Sequence, residues 1–397
     1  MTTQIYRAAE DRLAALRTAS QERFVEWAHE TDTLNCFPRR CIECLRELGL
    51  MRAAIPQEQG GLSFNIEQLC ETARLIGQGC LSSALIWSMH TQQIATLVGS
   101  GDKALHPLLC ELAESGALVA SVTTEPGKGG DLFKAGAALQ QHHDGTVSLA
   151  RIAPIVSYGD QAGWYLLTLR TSEVAGDDDV RFVLIKRKEG TITVEGDWHA
   201  LGVRGTQSVP MHFAATVPGT RILAGDYRAL VLNHFVPTGQ ILWSASWYGC
   251  AEGLFSRLME SMFAARQPLV DKLRSDLFVT RIANIRIQLM TMQAMLELAM
   301  RRYDLARQGV PDAQRDLISI VNSLKIHVSE QAHQIVNEII TIAGFAASYL
   351  VNSPLAIERI YRDILSARLM FSNDVLRRSI GLQTVQALRH NDIFADK

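Results

Sequence analysis

The sequence predicts an α+β protein, mostly helical: a helical region, then an antiparallel β-sandwich or barrel, then a four-helix bundle. Three observations carry this. Residues 1 to about 116 place apolar side chains at helical spacing, beginning with Leu13, Leu16, Phe24, Trp27 and Ala28. Residues 117 to about 222 change to short runs rich in Thr, Val and Gly, with turn signals between them. Beyond about Pro237 the apolar positions step by three and four over long stretches, which sets up packing seams. The expected boundaries are 1–116, 117–222 and 223–397.

In the N-terminal region, Cys41 to Leu50 reads as a short amphipathic helix stopping at Gly49, and Glu58 to Gly61 reads as a turn. Ile66 to Ile76, Leu81 to Val98 and Leu105 to Leu112 are further helices. The candidate strands are 118–124, 138–142, 147–151, 163–171, 180–186, 191–194 and 210–215, with Asp177 to Asp179 at a solvated hairpin tip. In the C-terminal region a first seam runs through Ile282, Ile285, Leu289, Met292 and Leu296. The next runs through Leu317, Val321, Leu324, Val328, Ile335 and Ile339. Gly309 separates the two helices, and a final helix runs from about Ser372 to Arg389. Four long helices in succession imply an antiparallel bundle.

The chain has 397 residues, with 39 Lys plus Arg against 41 Asp plus Glu. That balance offers no electrostatic footprint for nucleic acid or an anionic membrane surface. Seven cysteines in so long a chain do not make a disulfide framework, and the N-terminal stretch is charged without an apolar signal core. No apolar run is long enough to span a bilayer. The expectation is a cytoplasmic protein. Cys41 and Cys44 have a metal-like spacing but no second pair, so they read as packing residues, and no metal is expected.

One stretch invites chemistry: Thr123 to Asp131, Thr-Thr-Glu-Pro-Gly-Lys-Gly-Gly-Asp, directly after a strand-like segment. Glycines let a planar or phosphorylated ligand approach the backbone, although a hairpin loop has the same composition. His90 on an apolar helix reads as a core histidine or a pocket residue, and Arg204 as an ion-pair partner. Trp243 and Trp247, four apart, read as core or pocket wall.

Three motifs in order make the chain resemble the acyl-CoA dehydrogenase superfamily of flavoproteins over nearly its whole length. Thr124-Glu125-Pro126-Gly127-x-Gly129-x-Asp131 is similar to the family's Thr-Glu-Pro-Gly-x-Gly-Ser-Asp loop, with Gly130 in the serine's place. Trp198 to Ser208 resembles the segment leading to a strand and a Val-Pro pair, here Val217-Pro218. Glu358-Arg359-x-Tyr361-Arg362-Asp363 resembles the motif closing the third bundle helix. The likeness implies the acyl-CoA dehydrogenase fold, with a flavin ring between the β region and the bundle. It further implies that Thr124, Gly129 and Gly130 contact the flavin, and that Ser157 meets its N5 side. Ile155 stands where many members put a tryptophan. Arg266 corresponds to an arginine that reaches the cofactor's phosphates across a subunit interface, but Leu269 and Val270 replace the Phe and Gly of that motif. The family's Gln-x-x-Gly-Gly is also eroded, at Thr341 to Phe345. FAD is therefore expected, with FMN as the alternative, in a homotetramer.

The family's dehydrogenases remove a proton from the substrate with a glutamate, because the carbon acid needs a positioned base. Here the two positions that supply it hold Phe371 and Gly239, the latter followed by Gln240 where many members place an arginine. Asp374 lies three residues past Phe371 and would reach the site only through a shift of helix register. Reduced-flavin monooxygenases of the same fold have no use for that glutamate. Among their polar positions His90 and Ser157 are kept, while Met370 replaces a second histidine. Three readings follow from the resemblance. The first is dehydrogenation of an acyl thioester on CoA or a carrier protein. The second is reduced-flavin, O2-dependent oxygenation served by a flavin reductase. The third is a non-catalytic assembly subunit. Gln240, Trp243, Met370 and Phe371 are the expected pocket residues.

Overall fold

The computed structural model describes residues 2–127, 130–351 and 353–390. The N-terminal region opens with α1 (Thr2–Ala19), which continues through a π turn at Ser20–Phe24 into α2 (Val25–Thr33). The Ser20 hydroxyl donates to the Leu75 carbonyl at 2.5 Å, tying that turn to the next layer. After α3 (Arg39–Glu47) come α4 (Ile66–Gly79), α5 (Leu81–Gly99) and α6 (His106–Ser115). Helix α4 starts at a reciprocal cap. Asn65 accepts from the Gln68 amide, and Gln68 accepts from the Asn65 amide. Helix α5 is buried on nearly every side, which its mixed Leu, Ser, Thr and Gln composition conceals from any periodicity argument.

Among the described residues seven strands follow, close to the expected positions: β1 (Val119–Val122), β2 (Leu139–Gln141), β3 (Thr146–Val156), β4 (Trp164–Arg170), β5 (Val180–Lys186), β6 (Gly190–Val194) and β7 (Val209–Pro218). They form two sheets, ordered β1-β4-β5 and β2-β3-β7-β6. One pairing departs from the antiparallel expectation. β1 runs parallel to β4, with Val119 opposite Trp164. The hairpin of β2 and β3 lies between them in sequence, so the chain has reversed before β4 arrives beside β1. The three-stranded sheet is covered on both faces, as parallel pairing requires. Alternate residues of β4 divide between two apolar clusters. Tyr165, Leu167 and Leu169 face the four-stranded sheet and the main core. Trp164 and Leu166 face a second cluster with Ile94, Leu109 and Leu112 of α5 and α6. Both clusters cross the expected boundary at 116, so the helical and β regions share their cores.

The C-terminal region begins with α7 (Tyr227–Leu230) and a π turn at Val231–Phe235, then α8 (Val236–Ala264), α9 (Arg266–Leu273), α10 (Asp276–Arg307) and α11 (Pro311–Ala343). Four elements close it: α12 (Phe345–Tyr349), α13 (Ile357–Ile364), α14 (Ser366–Leu369) and α15 (Asn373–His390). α8, α10, α11 and α15 are the long bundle helices. Both predicted seams are buried from Ile285 to Leu296 and from Leu317 to Ile339, while Ile282 at the start of the first is only partly buried. The His327–Thr291 contact at 3.4 Å and the Gln314 bond to the Ala306 carbonyl at 3.2 Å set α10 and α11 antiparallel. Helix α4 lies against α8 across two glycines. A Cβ on Gly77 would strike the Ser246 carbonyl, and one on Gly249 the Arg74 carbonyl. Backbone-to-backbone approach of this kind requires glycine. No helix among the described residues is long and apolar enough to cross a membrane.

Candidate active site at the junction of the three regions

The glycine-rich loop is anchored from below by one carboxylate. Glu125 accepts from the backbone N–H groups of Gly136 and Ala137, each at 2.7 Å. Behind it lies Arg151, whose side chain is wholly buried, 3.9 Å from the Glu125 carboxylate. Arg151 donates to the Thr124 carbonyl at 3.0 Å and to the Thr168 carbonyl. Burial holds its guanidinium below the usual range, opposed by the Glu125 charge. The Thr124 hydroxyl donates to the Ile155 carbonyl at 2.8 Å, joining the loop to the end of β3. Gly130 adopts φ +80°, which makes glycine the natural occupant of the serine's place. Gly129 lies outside the described residues.

At the end of β3 the register shifts between Ala153 and Val156, and the bulge turns Ile155 outward. Ile155 is 49% exposed, an apolar platform left open at the surface. Ser157 follows, and its hydroxyl shares a 2.9 Å hydrogen bond with that of Ser208, which is 3.0 Å from the Thr206 hydroxyl. The next residue, Tyr158, is held at φ +45° by hydrogen bonds from its N–H to the Thr206 carbonyl and from its hydroxyl to the Val119 carbonyl. Thr124, Ile155, Ser157 and Ser208 are thereby gathered at one edge of the β region.

The residues expected in the substrate pocket lie on α8 and on the turn before α15. Gln240, Trp243, Ser244 and Trp247 are buried and lie on one face at i, i+3, i+4 and i+7. The Trp243 ring lies 5.7 Å from that of Phe371, at an interplanar angle of 33°. Gly239 lies against the Gln92 side chain of α5, which would have to shift to admit a larger residue. Phe371 packs against both apolar clusters, and Met370 packs against the main one. Phe371 sits at φ +46°, a strained conformation for a bulky residue. Its carbonyl accepts from the buried amine of Lys325 at 2.9 Å.

His90 and Asp374 resolve differently from the pocket roles weighed for them, whereas Arg204 is the ion-pair partner expected. His90 is buried, but both ring nitrogens are bonded to backbone. Nδ1 accepts from the Val119 N–H at 3.0 Å, and Nε2 donates to the Met51 carbonyl at 2.7 Å. Desolvation pulls it down to about 4, so it stays neutral and joins α5 to β1. It presents no free nitrogen to a pocket. Asp374 is 93% exposed and pairs with Arg377 at 3.5 Å, so the register shift that would bring it inward does not occur. The Arg266 side chain lies outside the described residues. Arg204 is structural, 3.7 Å from Asp32. Arg362 grips both Asp32 (2.6 Å) and Glu358 (2.9 Å). Asp363, pushed up to about 6 by desolvation, accepts from the Val203 N–H at 2.6 Å. The motif ending in Tyr-Arg-Asp thus fastens the loop before β7 to α2 and α13.

Sequence reasoning passed over Lys325, Asn373, Glu125 and Arg151 as builders of the site. For Lys325 a signal exists: a lysine flanked by Val321, Leu324 and Val328 on the apolar face of a long helix.

The β edge fits a flat ring with a polar rim: an exposed apolar platform, hydroxyls beside it, and a glycine loop with open space over Gly130. Comparison with known proteins bears on the fold. Residues 9–107 match the model of the acyl-CoA dehydrogenase N-terminal domain. The chain is 24% identical to a cyclohexane-1-carbonyl-CoA dehydrogenase of Geobacter metallireducens, over 88% of this chain and 89% of the relative. The structure superposes on butyryl-CoA dehydrogenase from Megasphaera elsdenii with a TM-score of 0.83, at 18% identity, covering 95% of this chain and 98% of the other. It also superposes on dibenzothiophene monooxygenase from Paenibacillus sp. A11-2, a protein also solved with FMN bound, with a TM-score of 0.80 at 17% identity and 97% coverage of each. Element order, the motif-bearing loops and these likenesses converge in support of one assignment, the acyl-CoA dehydrogenase fold and its superfamily of flavin-dependent oxidoreductases.

Proposed function

We propose that the protein is a reduced-flavin, O2-dependent monooxygenase acting on a small substrate. The observation that carries this is the absence of a carboxylate from every described position where the family's base could stand. Phe371 fills one, closed by Trp243. Gly239 fills the other, closed by Gln92. Asp374 faces solvent. Without a positioned base, the α-proton of a thioester has no acceptor. Oxygenation makes no such demand and benefits from a dry site.

Thr124, Gly130 and Ser157 would hold the flavin, FAD or FMN, on the Ile155 platform. When bound, the flavin supplies the electrons and the site of oxygen activation. The Ser157 hydroxyl, oriented by Ser208, would present a hydrogen bond to the ring's N5 side. Trp243 and Phe371 would exclude water from the expected substrate pocket. The eroded phosphate-side motifs at Leu269–Val270 and Thr341–Phe345 leave FMN as acceptable as FAD. The proposed homotetramer finds support in apolar side chains exposed on α10, among them Leu277, Ile287 and Met290.

A second reading, dehydrogenation of an acyl thioester, is favoured by relatives that are cyclohexane-1-carbonyl-CoA dehydrogenases. The test separates the two. The protein is loaded with FAD or FMN and titrated anaerobically with butyryl-CoA and cyclohexane-1-carbonyl-CoA. The expected result is no bleaching of the oxidised flavin. Reduced protein is then mixed with 18O2 and small aromatic and amine substrates, and incorporation of one labelled oxygen is expected. Bleaching by either thioester would overturn the oxygenase reading.

A further inference from the structure

We infer that Phe371 sets the size and polarity of what the pocket admits, and that Lys325 is the positioning residue that holds it in place. The inference rests on the flavin site proposed above. Phe371 occupies a left-handed conformation that its side chain disfavours, so something must hold it there. Lys325, fully buried on α11, donates to the Phe371 carbonyl at 2.9 Å and to the Asn373 side chain at 2.8 Å. Asn373 in turn donates to Ser329 at 3.0 Å and to Glu330 at 3.1 Å. The Lys325 amine also lies over the Trp247 ring, 5.8 Å from its centre. It makes no ion pair among the described residues, and burial pulls it down to about 7. A lysine buried without a direct carboxylate partner costs stability, which the nearby Glu330 charge offsets only in part. What it secures is the turn that presses the Phe371 ring against Trp243.

The α8 face that carries Trp243 is polar. Gln240 Oε1, Trp243 Nε1, Ser244 Oγ and Trp247 Nε1 are buried without a partner among the described residues, all on one face of α8. Unpaired buried groups discriminate strongly against a ligand that cannot pair them. A saturated acyl chain would leave all four unsatisfied. A small ring bearing amide, amine or hydroxyl groups supplies both donors and acceptors. The pocket therefore selects a compact, hydrogen-bonding substrate, and Phe371 is the barrier to extended chains.

The test uses the full-length chain. Acrylamide quenching of tryptophan fluorescence is measured for wild type, Lys325→Met and Phe371→Ala, with and without Trp243→Phe. Both variants are expected to raise quenching about twofold, and Trp243→Phe to abolish the increase. Unchanged quenching would overturn the inference. Phe371→Ala leaves the lysine contacts intact, so it decides the matter if Lys325→Met fails to fold. In flavin-loaded protein, benzamide and octanoyl-CoA serve as probes, read by the shift of the flavin spectrum. Wild type is expected to bind benzamide and to exclude octanoyl-CoA. Phe371→Ala and Lys325→Met should each gain about tenfold for octanoyl-CoA. Tighter binding of octanoyl-CoA than of benzamide by wild type would refute the proposal. The quenching result does not depend on the reaction, so failure of the oxygenase reading would leave it standing.

Discussion

Glu125→Ala offers the sharpest test of how the cofactor loop is built. The carboxylate is 11% exposed and accepts two backbone N–H groups at 2.7 Å while facing the wholly buried Arg151. Hydrogen bonds to a charged acceptor contribute about 1.5–3 kcal/mol each. Removing one partner of a buried charge pair costs about 3–5 kcal/mol. These terms overlap, because one group supplies them all, and Arg151 keeps its bonds to the Thr124 and Thr168 carbonyls. The expected loss is about 4 kcal/mol, roughly a thousandfold in the folding equilibrium. Glu125→Gln keeps one acceptor oxygen and should lose about half as much. The assay is urea denaturation followed by far-UV circular dichroism, with flavin affinity measured on the same samples. Affinity should fall in parallel, because Arg151 and Glu125 together seat Thr124. A loss below about 1 kcal/mol for the alanine variant would refute the anchoring argument, since only an exposed pair is worth so little.

Three further outcomes are expected. His90 is held at about 4 in the folded chain against about 6.5 unfolded, so the unfolded state takes up a proton first on acidification. Its contribution is intact above pH 6.5 and is lost as pH falls toward 4. His90→Gln should remove one proton's share of that slope in melts between pH 4 and 7, and an unchanged slope would contradict the assignment. Gly249→Ala forces a methyl onto the Arg74 carbonyl and should cost about 1–3 kcal/mol in stability, read from the denaturant midpoint, whereas a neutral result would mean that α4 and α8 can separate freely. Asp374→Asn should leave turnover unchanged, because that carboxylate is at the surface. A hundredfold drop would reinstate it as the base.

Much of the architecture could be read from the residues, because long seams such as Leu317 to Ile339 and short Val- and Thr-rich runs are strong periodic signals. The parallel partner of β1 could not be, since strand direction depends on where an intervening hairpin sends the chain. His90 misled for a related reason. Its helical position predicted burial correctly, but which backbone groups meet its two nitrogens is decided by Met51 and Val119, far away in sequence. The Phe371 conformation and its lysine tether belong to the same class. They arise from residues 46 positions apart, and no local pattern announces the pairing.

The shared cores have a consequence for synthesis. Arg74 of α4 meets Glu252 of α8, a partner 178 residues further along the chain. At translation rates of about 5–20 residues per second, that partner emerges roughly 10–40 seconds later. Throughout that interval the nascent chain carries the α4 face that α8 will cover, with Gly77 at its centre. A nascent chain ending before residue 236 therefore carries that face uncovered, and the proposed pocket residues of α8 take their place only when α8 docks.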